Sequence, residues 1–295
     1  MDNAILKTKI PGVKRLFSGK VRDIYKVDNE HLIIVSTDRV SAFDYVFPNG
    51  IPGKGVILNK ISNIWFSKIN FIKNHIVSVD IKDFPKPFCD FPELLMDRSV
   101  LVKRAKRIDF ECVARGYIVG SGWNDYKETG KICGINLPKG LELAQELQSP
   151  LFTPATKSKD GHDMNISTEK MSEKLGVDTT QHLGNLTLQI YETAKEKLKK
   201  AGIILADTKV EFGFIGNEIL LIDEVLTPDS SRFWDMSQYK IGVSPVSLDK
   251  QFIRDYIETT DWDKNSPPPP LPEEIIIQTK EKYKDILARI TSLFD

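Results

Sequence analysis

The clearest pattern in the chain is a pair of apolar-rich runs separated by a short turn. Residues 205–213 and 218–226 are rich in β-branched and aliphatic side chains, and a Gly-Asn pair at 216–217 lies between them. Such runs around a Gly-Asn turn predict an antiparallel β-hairpin. The candidate chemistry of the chain is concentrated on this hairpin and on the loop that follows it.

Charged residues on the predicted hairpin form a candidate metal site. Asp207, Lys209 and Glu211 share one face of the first strand, because alternate residues of a strand point to the same side. With the turn centred near Asn217, Glu211 lies opposite Asp223, and directly opposed Cβ atoms are only roughly 5 Å apart. Two carboxylates held so close repel each other unless a divalent cation neutralises them, and Mg²⁺ accepts such oxygen ligands.

A solvated polar face is the alternative interpretation of two acids on a hairpin, since one face of an antiparallel sheet is often wet. Three features favour a site instead. Asp223 lies in the apolar run 219–226, where a buried charge requires a partner. Lys209 adds a cation beside the acids. Residues 227–232, Thr-Pro-Asp-Ser-Ser-Arg, form a loop dense in groups that bind anions or polyols. Together they indicate a site that handles phosphate through a metal.

Apolar periodicity also predicts the other elements that surround the hairpin. Strands are expected over residues 31–36, 99–108 and 111–120, and amphipathic helices over 57–68 and 183–199. A short helix is expected to be capped by Ser167 and stopped by Gly176. A polyproline linker at 265–270 precedes a last helix with an apolar stripe, which consists of Ile276, Tyr283, Ile290 and Phe294.

Composition narrows the class of protein. The 295 residues contain 41 basic and 41 acidic side chains, and this zero net charge gives no support to nonspecific nucleic-acid binding. Three cysteines, Cys89, Cys112 and Cys133, are widely spaced and form no CxxC motif, which indicates neither a zinc site nor a disulfide framework. The chain shows no signal-peptide pattern and no apolar run of membrane-spanning length. We therefore expect a cytoplasmic protein.

Other residues are candidates for binding phosphate. Lys20 and Arg22 follow Gly19 and are two apart, so both could face nucleotide phosphates, although a solvated basic strand face is the commoner meaning. Neither a GxxxxGK[ST] nor a GxGxxG motif is present. Arg115 lies in an apolar strand, where it needs a carboxylate or phosphate partner. Ser121 lies between two glycines and can present its hydroxyl to an anion.

Five distinctive stretches follow one another along the chain: GKVRDIY at 19–25, STDRVSAFD at 36–44, RGY at 115–117 with GSGW at 120–123, DTKVEFG at 207–213 and DEVLTPDSSRFW at 223–234. In this combination the chain resembles the SAICAR synthetase family of purine biosynthesis over nearly its whole length. The segment between Trp123 and Thr153 is similar to the longer form of the family, which is typical of fungi and some bacteria.

The resemblance implies an α+β, ATP-grasp-like, two-lobed fold. It implies a β-rich N-terminal lobe over residues 1–108, a central α/β lobe over 109–264, and a linker with a C-terminal helical tail over 265–295. It also implies an ATP-dependent ligase that joins the carboxylate of CAIR, 5-amino-1-(5-phosphoribosyl)imidazole-4-carboxylate, to L-aspartate. These three small molecules and Mg²⁺ are the expected ligands, without nucleic acid or membrane, and the chain is expected to be a monomer or homodimer.

The resemblance further implies the site residues. Lys20, Arg22 and Lys157 lie near the ATP phosphates, and Glu211 and Asp223 are magnesium ligands. The CAIR site consists of Arg115, Ser121, Asp207, Lys209, Asp229 and Arg232, of which Ser121 and Arg232 hold the 5′-phosphate. Asp207 and Lys209 are also the expected catalytic residues. Independently of the resemblance, the polar loop at residues 160–165 is expected from its sequence to be a flexible lid.

The chemistry of the reaction predicts a mechanism. A carboxylate is a poor acyl donor, so transfer of the γ-phosphoryl group to CAIR would create an acyl phosphate that the aspartate amine attacks. The amine must arrive neutral, and Asp38 and Asp207 are the candidates for its base. Two alternatives remain open at this point: a nucleotide-binding regulatory module without catalysis, and a small-molecule kinase.

Overall fold

The structure is a computed structural model that describes residues 3–156 and 164–295. The helices are α1 (Lys54–Lys68), α2 (Pro92–Leu95), α3 (Gly120–Thr129), α4 (Thr168–Leu175), α5 (Val177–Lys200), α6 (Gln251–Glu258) and α7 (Glu273–Thr291). The strands are β1 (Arg15–Ser18), β2 (Arg22–Lys26), β3 (His31–Ser36), β4 (Ser41–Ala42), β5 (Tyr45–Val46), β6 (Ile76–Ser78), β7 (Ser99–Lys103), β8 (Lys106–Arg107), β9 (Phe110–Tyr117), β10 (Lys131–Ile132), β11 (Ile135–Asn136), β12 (Glu146–Phe152), β13 (Ala155–Thr156), β14 (Ile203–Ile215), β15 (Glu218–Ile222) and β16 (Ser231–Asp235). The expected α+β class is confirmed.

The chain divides into two compact units. The first consists of Met1–Lys106 together with Asp249–Phe294, and the second of Arg107–Leu248. None of the helices in the described ranges is both long and apolar enough to cross a membrane. The first boundary lies two residues from the expected one at 108, but the segment after 248 groups with the N-terminal part rather than with the centre of the chain.

The first unit is built on an antiparallel sheet in the order β1-β2-β3-β7-β6. Alternate residues of β3 enter different apolar clusters: Ile33 and Val35 pack with Tyr25 and Leu101, whereas Ile34 packs with residues that include Val100 and Val102. This alternation follows from the two-residue period of a strand. The sheet is therefore covered by apolar side chains on both faces.

The C-terminal segment joins the first unit through apolar packing and a paired hydrogen bond. Ile253, Ile257 and Leu271 are buried in one cluster with residues that include Phe47 and Ile51. The side chain of Asn49 donates to the carbonyl of Leu271 at 2.8 Å and accepts from its N–H at 2.9 Å. These contacts attach the C-terminal segment to the first unit, where a separate tail was expected.

The second unit centres on strand β14. Its sheet runs in the order β12-β9-β14-β15, with β13 also paired to β9 and β16 also paired to β14. The long helix α5 covers the sheet with Leu186, Ile190, Ala194 and Leu198, all buried, as its apolar period predicts. The expected Ser167 cap and Gly176 stop of α4 are confirmed, since Ser167 accepts from the N–H of Lys170 and Gly176 has φ 82°.

Two predicted strands differ from the structure at their ends. The strand expected over 99–108 is divided into β7 and β8, and the strand expected over 111–120 ends at Tyr117. The chain then turns through Val119, which has an extended conformation, and begins helix α3 at Gly120. Gly120 has φ 58°, a conformation that glycine adopts without a steric penalty. This early end of the strand places a helix N-terminus beside it.

Candidate active site

In the sheet of the second unit, a carboxylate on the central strand lies between two arginines on the two strands that flank it. Asp207 on β14 is the register partner of Arg115 on β9 and of Arg232 on β16. Its Oδ2 atom accepts a hydrogen bond from Nη1 of Arg115 at 3.2 Å and another from Nη1 of Arg232. Burial lowers the pKa of Arg115, and the charge of Asp207 opposes that shift. The carboxylate therefore holds together two guanidinium groups that would otherwise repel each other.

The N-terminus of helix α3 lies against these arginines. Arg115 donates from Nη2 to the Ser121 hydroxyl at 3.0 Å and from Nε to the Thr153 hydroxyl at 3.0 Å. A Cβ atom on Gly120 would lie 2.4 Å from Nη2 of Arg232, so a larger residue here would displace this guanidinium group from its present position. Helix N-termini attract anions through their N–H groups and dipole. Two guanidinium groups, a hydroxyl and a helix N-terminus surround the single carboxylate of Asp207, and this excess of positive charge is compatible with an anionic ligand.

Lys209 lies further along the same face of β14 and is surrounded by acids. Its ammonium group lies 2.6 Å from Oε1 of Glu111. Burial would lower the pKa of Lys209, but the charges of Glu111, Glu211 and Asp223 outweigh burial and raise it. Lys209 therefore stays charged across the physiological pH range. The charges of Glu211 and Asp223 both act on Lys209.

Glu111 was not among the predicted site residues. It is 7% exposed, and it precedes Arg115 by four residues on β9. The two-residue period of a strand places Glu111, Val113 and Arg115 on one face. Because Glu111 and Arg115 lie on the same face of β9, the alternation of this strand could have identified Glu111 as a site residue. That inference needed Arg115 as a candidate and the pairing of β9 with β14.

The predicted register of the hairpin is wrong by one residue. Glu211 pairs with Ile222 instead of Asp223, because the loop consists only of Gly216 and Asn217, with Ile215 paired to Glu218. Strand β15 ends at Ile222, and Asp223 follows with φ 71°. This left-handed conformation takes Asp223 out of the ladder, yet its charge still acts on Lys209. Asp223 therefore lies at a backbone bend just beyond the ladder and is not the cross-strand partner of Glu211.

The two carboxylates expected to bind Mg²⁺ are compatible with that ion in their chemistry. Glu211 is 5% exposed. The positive charge of Lys209 interacts with the negative charges of both Glu211 and Asp223. Mg²⁺ is commonly bound through one or two carboxylates together with phosphate and water. Within residues 3–156 and 164–295, no group of three or more His, Cys, Asp or Glu side chains is arranged to hold a metal. The metal assignment of Glu211 and Asp223 therefore stays a prediction.

The loop after β15 is held by its own polar groups. The Thr227 hydroxyl donates to Glu224 at 2.7 Å, and the N–H of Asp229 donates to that hydroxyl at 3.3 Å. The N–H of Lys209 donates to the carbonyl of Ser230 at 2.8 Å, which ties the loop to β14. Asp229 is partly buried in this loop, and its expected contact with the ribonucleotide stays a prediction.

A buried tyrosine reaches the sheet next to Asp207. Tyr191 of α5 is fully buried, and its hydroxyl donates to the carbonyl of Leu205 at 2.8 Å. The pairing of β14 with β16 shifts register between Leu205 and Asp207. A Cβ atom on Gly116 would lie 1.7 Å from the Tyr191 oxygen. The glycine after Arg115 therefore makes space for Tyr191 rather than for a ligand.

The residues expected near the ATP phosphates lie in the first unit. Lys20 forms an exposed ion pair with Asp44, and Arg22 begins β2 as the register partner of Ser36. Lys157 lies outside the described residues, as do residues 160–163 of the expected lid. The described contacts leave the roles of Lys20 and Arg22 as predictions.

Asp38 has the surroundings of a structural carboxylate. It is 1% exposed, and its Oδ1 accepts from the N–H of Gly55 at 2.9 Å and from Nη1 of Arg98 at 3.0 Å. Its Oδ2 accepts from the N–H of Ile5 at 2.9 Å. Gly55 lies in the first turn of α1, so Asp38 caps that helix. These bonds remove the support for Asp38 as the base, and Asp207 is itself engaged by two arginines.

Comparison with known proteins identifies the family. Residues 15–269 match the family model described as SAICAR synthetase. The phosphoribosylaminoimidazole-succinocarboxamide synthase of Thermodesulfovibrio yellowstonii is 52% identical over 293 residues, which cover 99% of this chain and 100% of that protein. The enzyme of the same name from Geobacter sulfurreducens is 50% identical over 293 residues and 99% of each chain.

Solved structures agree with this result. The SAICAR synthase of Saccharomyces cerevisiae, solved in complex with SAICAR, is 40% identical, covers 98% of each chain and superposes with a TM-score of 0.88. A SAICAR synthetase solved in complex with ADP is 26% identical, with a TM-score of 0.68 and coverage of 94% of this chain and 97% of that chain. The chain therefore belongs to the SAICAR synthetase family, whose enzymes join CAIR to L-aspartate at the expense of ATP in purine biosynthesis.

Proposed function

We propose that the second unit binds CAIR on the charged face of its sheet and that ligation proceeds through an acyl phosphate. The observation that carries the proposal is the position of Asp207 between Arg115 and Arg232, beside the N-terminus of α3. A ribonucleotide monophosphate suits this arrangement, because guanidinium groups bind phosphate oxygens in a fork. The relative from Saccharomyces cerevisiae binds SAICAR, the product of the same ligation.

The roles within this proposal follow from charge and position. Arg232 and Ser121 bind the 5′-phosphate, and Asp207 keeps Arg115 and Arg232 in place while it contacts the ribose. Lys209 neutralises charge that develops on the reacting carboxylate and phosphoryl oxygens. Asp229 contacts the ribonucleotide from the loop after β15. Glu211 and Asp223 hold Mg²⁺, which supplies charge neutralisation to the phosphates when it is bound.

ATP belongs to the same proposal through Lys20, Arg22 and Lys157, and a relative in the family has been solved with ADP. The phosphate oxygens are anionic, and lysine and arginine are the side chains that bind them most strongly. A cytoplasmic location and a monomeric or homodimeric state complete the proposal. Disulfides are rare in a reducing compartment, and the three cysteines are free thiols.

The acyl phosphate is tested by following oxygen from the CAIR carboxylate. If this oxygen attacks the γ-phosphorus and the amine later displaces it with the phosphoryl group, ¹⁸O in the carboxylate appears in the released phosphate. We expect one labelled oxygen per phosphate, measured by mass spectrometry. Unlabelled phosphate would exclude phosphoryl transfer to this carboxylate and remove the roles assigned here to Lys209, Glu211 and Asp223 in its activation.

The ligase is distinguished from a kinase or a binding module by substrate dependence. We expect phosphate release to require both CAIR and L-aspartate in one incubation. A kinase would consume ATP with a single acceptor, and a regulatory module would bind nucleotide without turnover. Phosphate release that proceeds at full rate without aspartate would contradict the proposed ligase.

A further inference from the structure

The turn that carries Lys20 is held by bonds to its backbone carbonyls. The carbonyl of Gly19 accepts from Nη2 of Arg39 at 3.0 Å, and that of Lys20 accepts from Nε of Arg39 at 3.1 Å. The carbonyl of Val21 accepts from the N–H of Thr37 at 3.0 Å and from its hydroxyl at 2.7 Å. One short segment, 37–39, therefore binds three successive carbonyls of the turn.

Arg39 is itself held rigidly. It is 7% exposed, its Nη1 donates to the carbonyl of Leu6 at 2.5 Å, and its Nη2 also donates to Oδ1 of Asp23 at 2.9 Å. Asp23 is fully buried, and burial would raise its pKa. Hydrogen bonds from Ser18, Thr8 and Arg39 outweigh burial and lower that pKa. The charged carboxylate of Asp23 thus fixes the plane of the Arg39 guanidinium group, and this group fixes the backbone of residues 19–21.

The planarity of the peptide group gives this anchoring a consequence for ligand binding. In a trans peptide the carbonyl and the following N–H point in opposite directions. Because the carbonyls of Gly19 and Lys20 point toward Arg39, the N–H groups of Lys20 and Val21 point away from it. Successive N–H groups on one side of a turn form a concave site for anions.

We propose that Arg39 is a positioning residue for ATP, which fixes the turn 19–21 so that its N–H groups and Lys20 face the phosphates. This inference rests on the proposed placement of the ATP phosphates at Lys20. Arg39 does not touch the nucleotide in this role. It acts through the backbone, and Thr37 assists it at Val21.

The central test is Arg39→Lys, because lysine keeps the charge but cannot reproduce a planar fork with four acceptors. We expect ADP affinity, measured by calorimetry, to fall roughly tenfold or more, since small displacements of positioning groups have effects of this size. The inhibition constant of adenosine, which has no phosphate, and the KM for CAIR should stay within about twofold of the wild-type values.

Two variants provide controls for this test. Arg15→Lys removes a guanidinium that binds the same carboxylate, Asp23, at 2.9 Å, but that has no bond to the carbonyls of Gly19 or Lys20. We expect the ADP affinity of Arg15→Lys to stay within about twofold of the wild-type value, even if its melting temperature changes. Thr37→Val removes the hydroxyl's bond to the carbonyl of Val21 at 2.7 Å and the 3.4 Å bond that the hydroxyl accepts from the N–H of Arg39, while the backbone bond to Val21 stays. It should weaken ADP binding by roughly threefold to tenfold.

The possible outcomes separate the inference from the proposed function. If Lys20→Ala leaves ADP affinity unchanged, the ATP phosphates do not lie at this turn and both ideas fail. If Lys20→Ala weakens ADP while Arg39→Lys and Thr37→Val do not, only the positioning role is overturned. Equal losses of ADP and adenosine in Arg39→Lys would indicate a merely structural arginine. Should Arg39→Lys fail to fold, unchanged ADP binding by Thr37→Val would overturn the inference.

Discussion

Asp38 in the first unit and Asp207 in the second are both buried carboxylates that accept from arginine, yet their surroundings differ. Asp38 also accepts from the backbone N–H groups of Ile5 and Gly55, so it joins separate segments of the chain. Asp207 accepts from Arg115 and Arg232, whose side chains lie on neighbouring strands of one sheet face. The first carboxylate is bonded into the backbone, whereas the second organises side chains.

This difference separates two uses of buried charge. A carboxylate that accepts from backbone N–H groups cannot exchange those partners without disturbing the fold. A guanidinium group has five N–H donors arranged as a fork, so Arg115 and Arg232 can bind Asp207 and a phosphate at the same time. In the first unit Asp23, Asp38 and Arg39 therefore shape the backbone, whereas the charges of the second unit are the ones proposed to bind ligands.

The largest effect is expected when the backbone-bonded carboxylate is neutralised. Asp38→Asn leaves the buried Arg98 without its charged partner, and breaking a buried pair costs about 3–5 kcal/mol of folding free energy. Urea unfolding measures this loss. The pH profile of the remaining folded enzyme should keep the shape of the wild-type profile. A stable Asp38→Asn protein that has lost its activity would instead make Asp38 a catalytic base and contradict the comparison.

Neutralising the acids of the second unit should affect activity far more than stability. Glu211→Gln or Asp223→Asn keeps the shape of a proposed metal ligand but removes its charge, so we expect kcat to fall by about a hundredfold or more. Glu218→Gln, at the exposed end of the same hairpin, is the matched control and should leave kcat unchanged. Near-normal turnover by both site variants at ordinary Mg²⁺ concentrations would refute the metal assignment.

Removing Arg232 should weaken one substrate selectively. A phosphate–guanidinium contact is remote from the reacting carboxylate, and its loss costs about 1.5–3 kcal/mol, which corresponds to about tenfold to a hundredfold in affinity. We expect Arg232→Ala to raise the KM for CAIR by this factor and to change the KM for ATP little. Arg107→Ala, which removes an exposed arginine of the same unit, is the control. A rise confined to the KM for ATP would mean that the two nucleotide sites are exchanged.

The smallest expected effect concerns the packing beneath the charged face. Gly116→Ala places a methyl group against the buried ring of Tyr191, and overpacking of this kind costs about 1–3 kcal/mol. Denaturant unfolding measures the cost. The double variant with Tyr191→Phe lacks the oxygen that would lie 1.7 Å from the new Cβ atom, so it should be less destabilised than the sum of the single changes. Strict additivity would show that the hydroxyl is not the obstacle.

Local patterns in the sequence were sufficient for much of the fold. The strand β3, the helix α5 and the caps of α4 follow from periods and capping residues that act within a few positions. The alternation on β14 placed Asp207, Lys209 and Glu211 on one face before any partner strand was known. The five sequence motifs then indicated the family, because several motifs in a fixed order are far more specific than any one of them.

The tertiary structure decided which groups meet. A hairpin loop one residue shorter than expected changed the partner of Glu211, and it left Asp223 beyond the ladder with a left-handed backbone. Glu111 joined Lys209 across a strand pairing between segments about a hundred positions apart, and Asp38 found its partners at Ile5 and Gly55. Periodicity is set by the geometry of a single strand or helix, and the sequence alone therefore determined the faces of these elements. Strand register and long-range partners depend on the path of the whole chain, which only the folded structure defines.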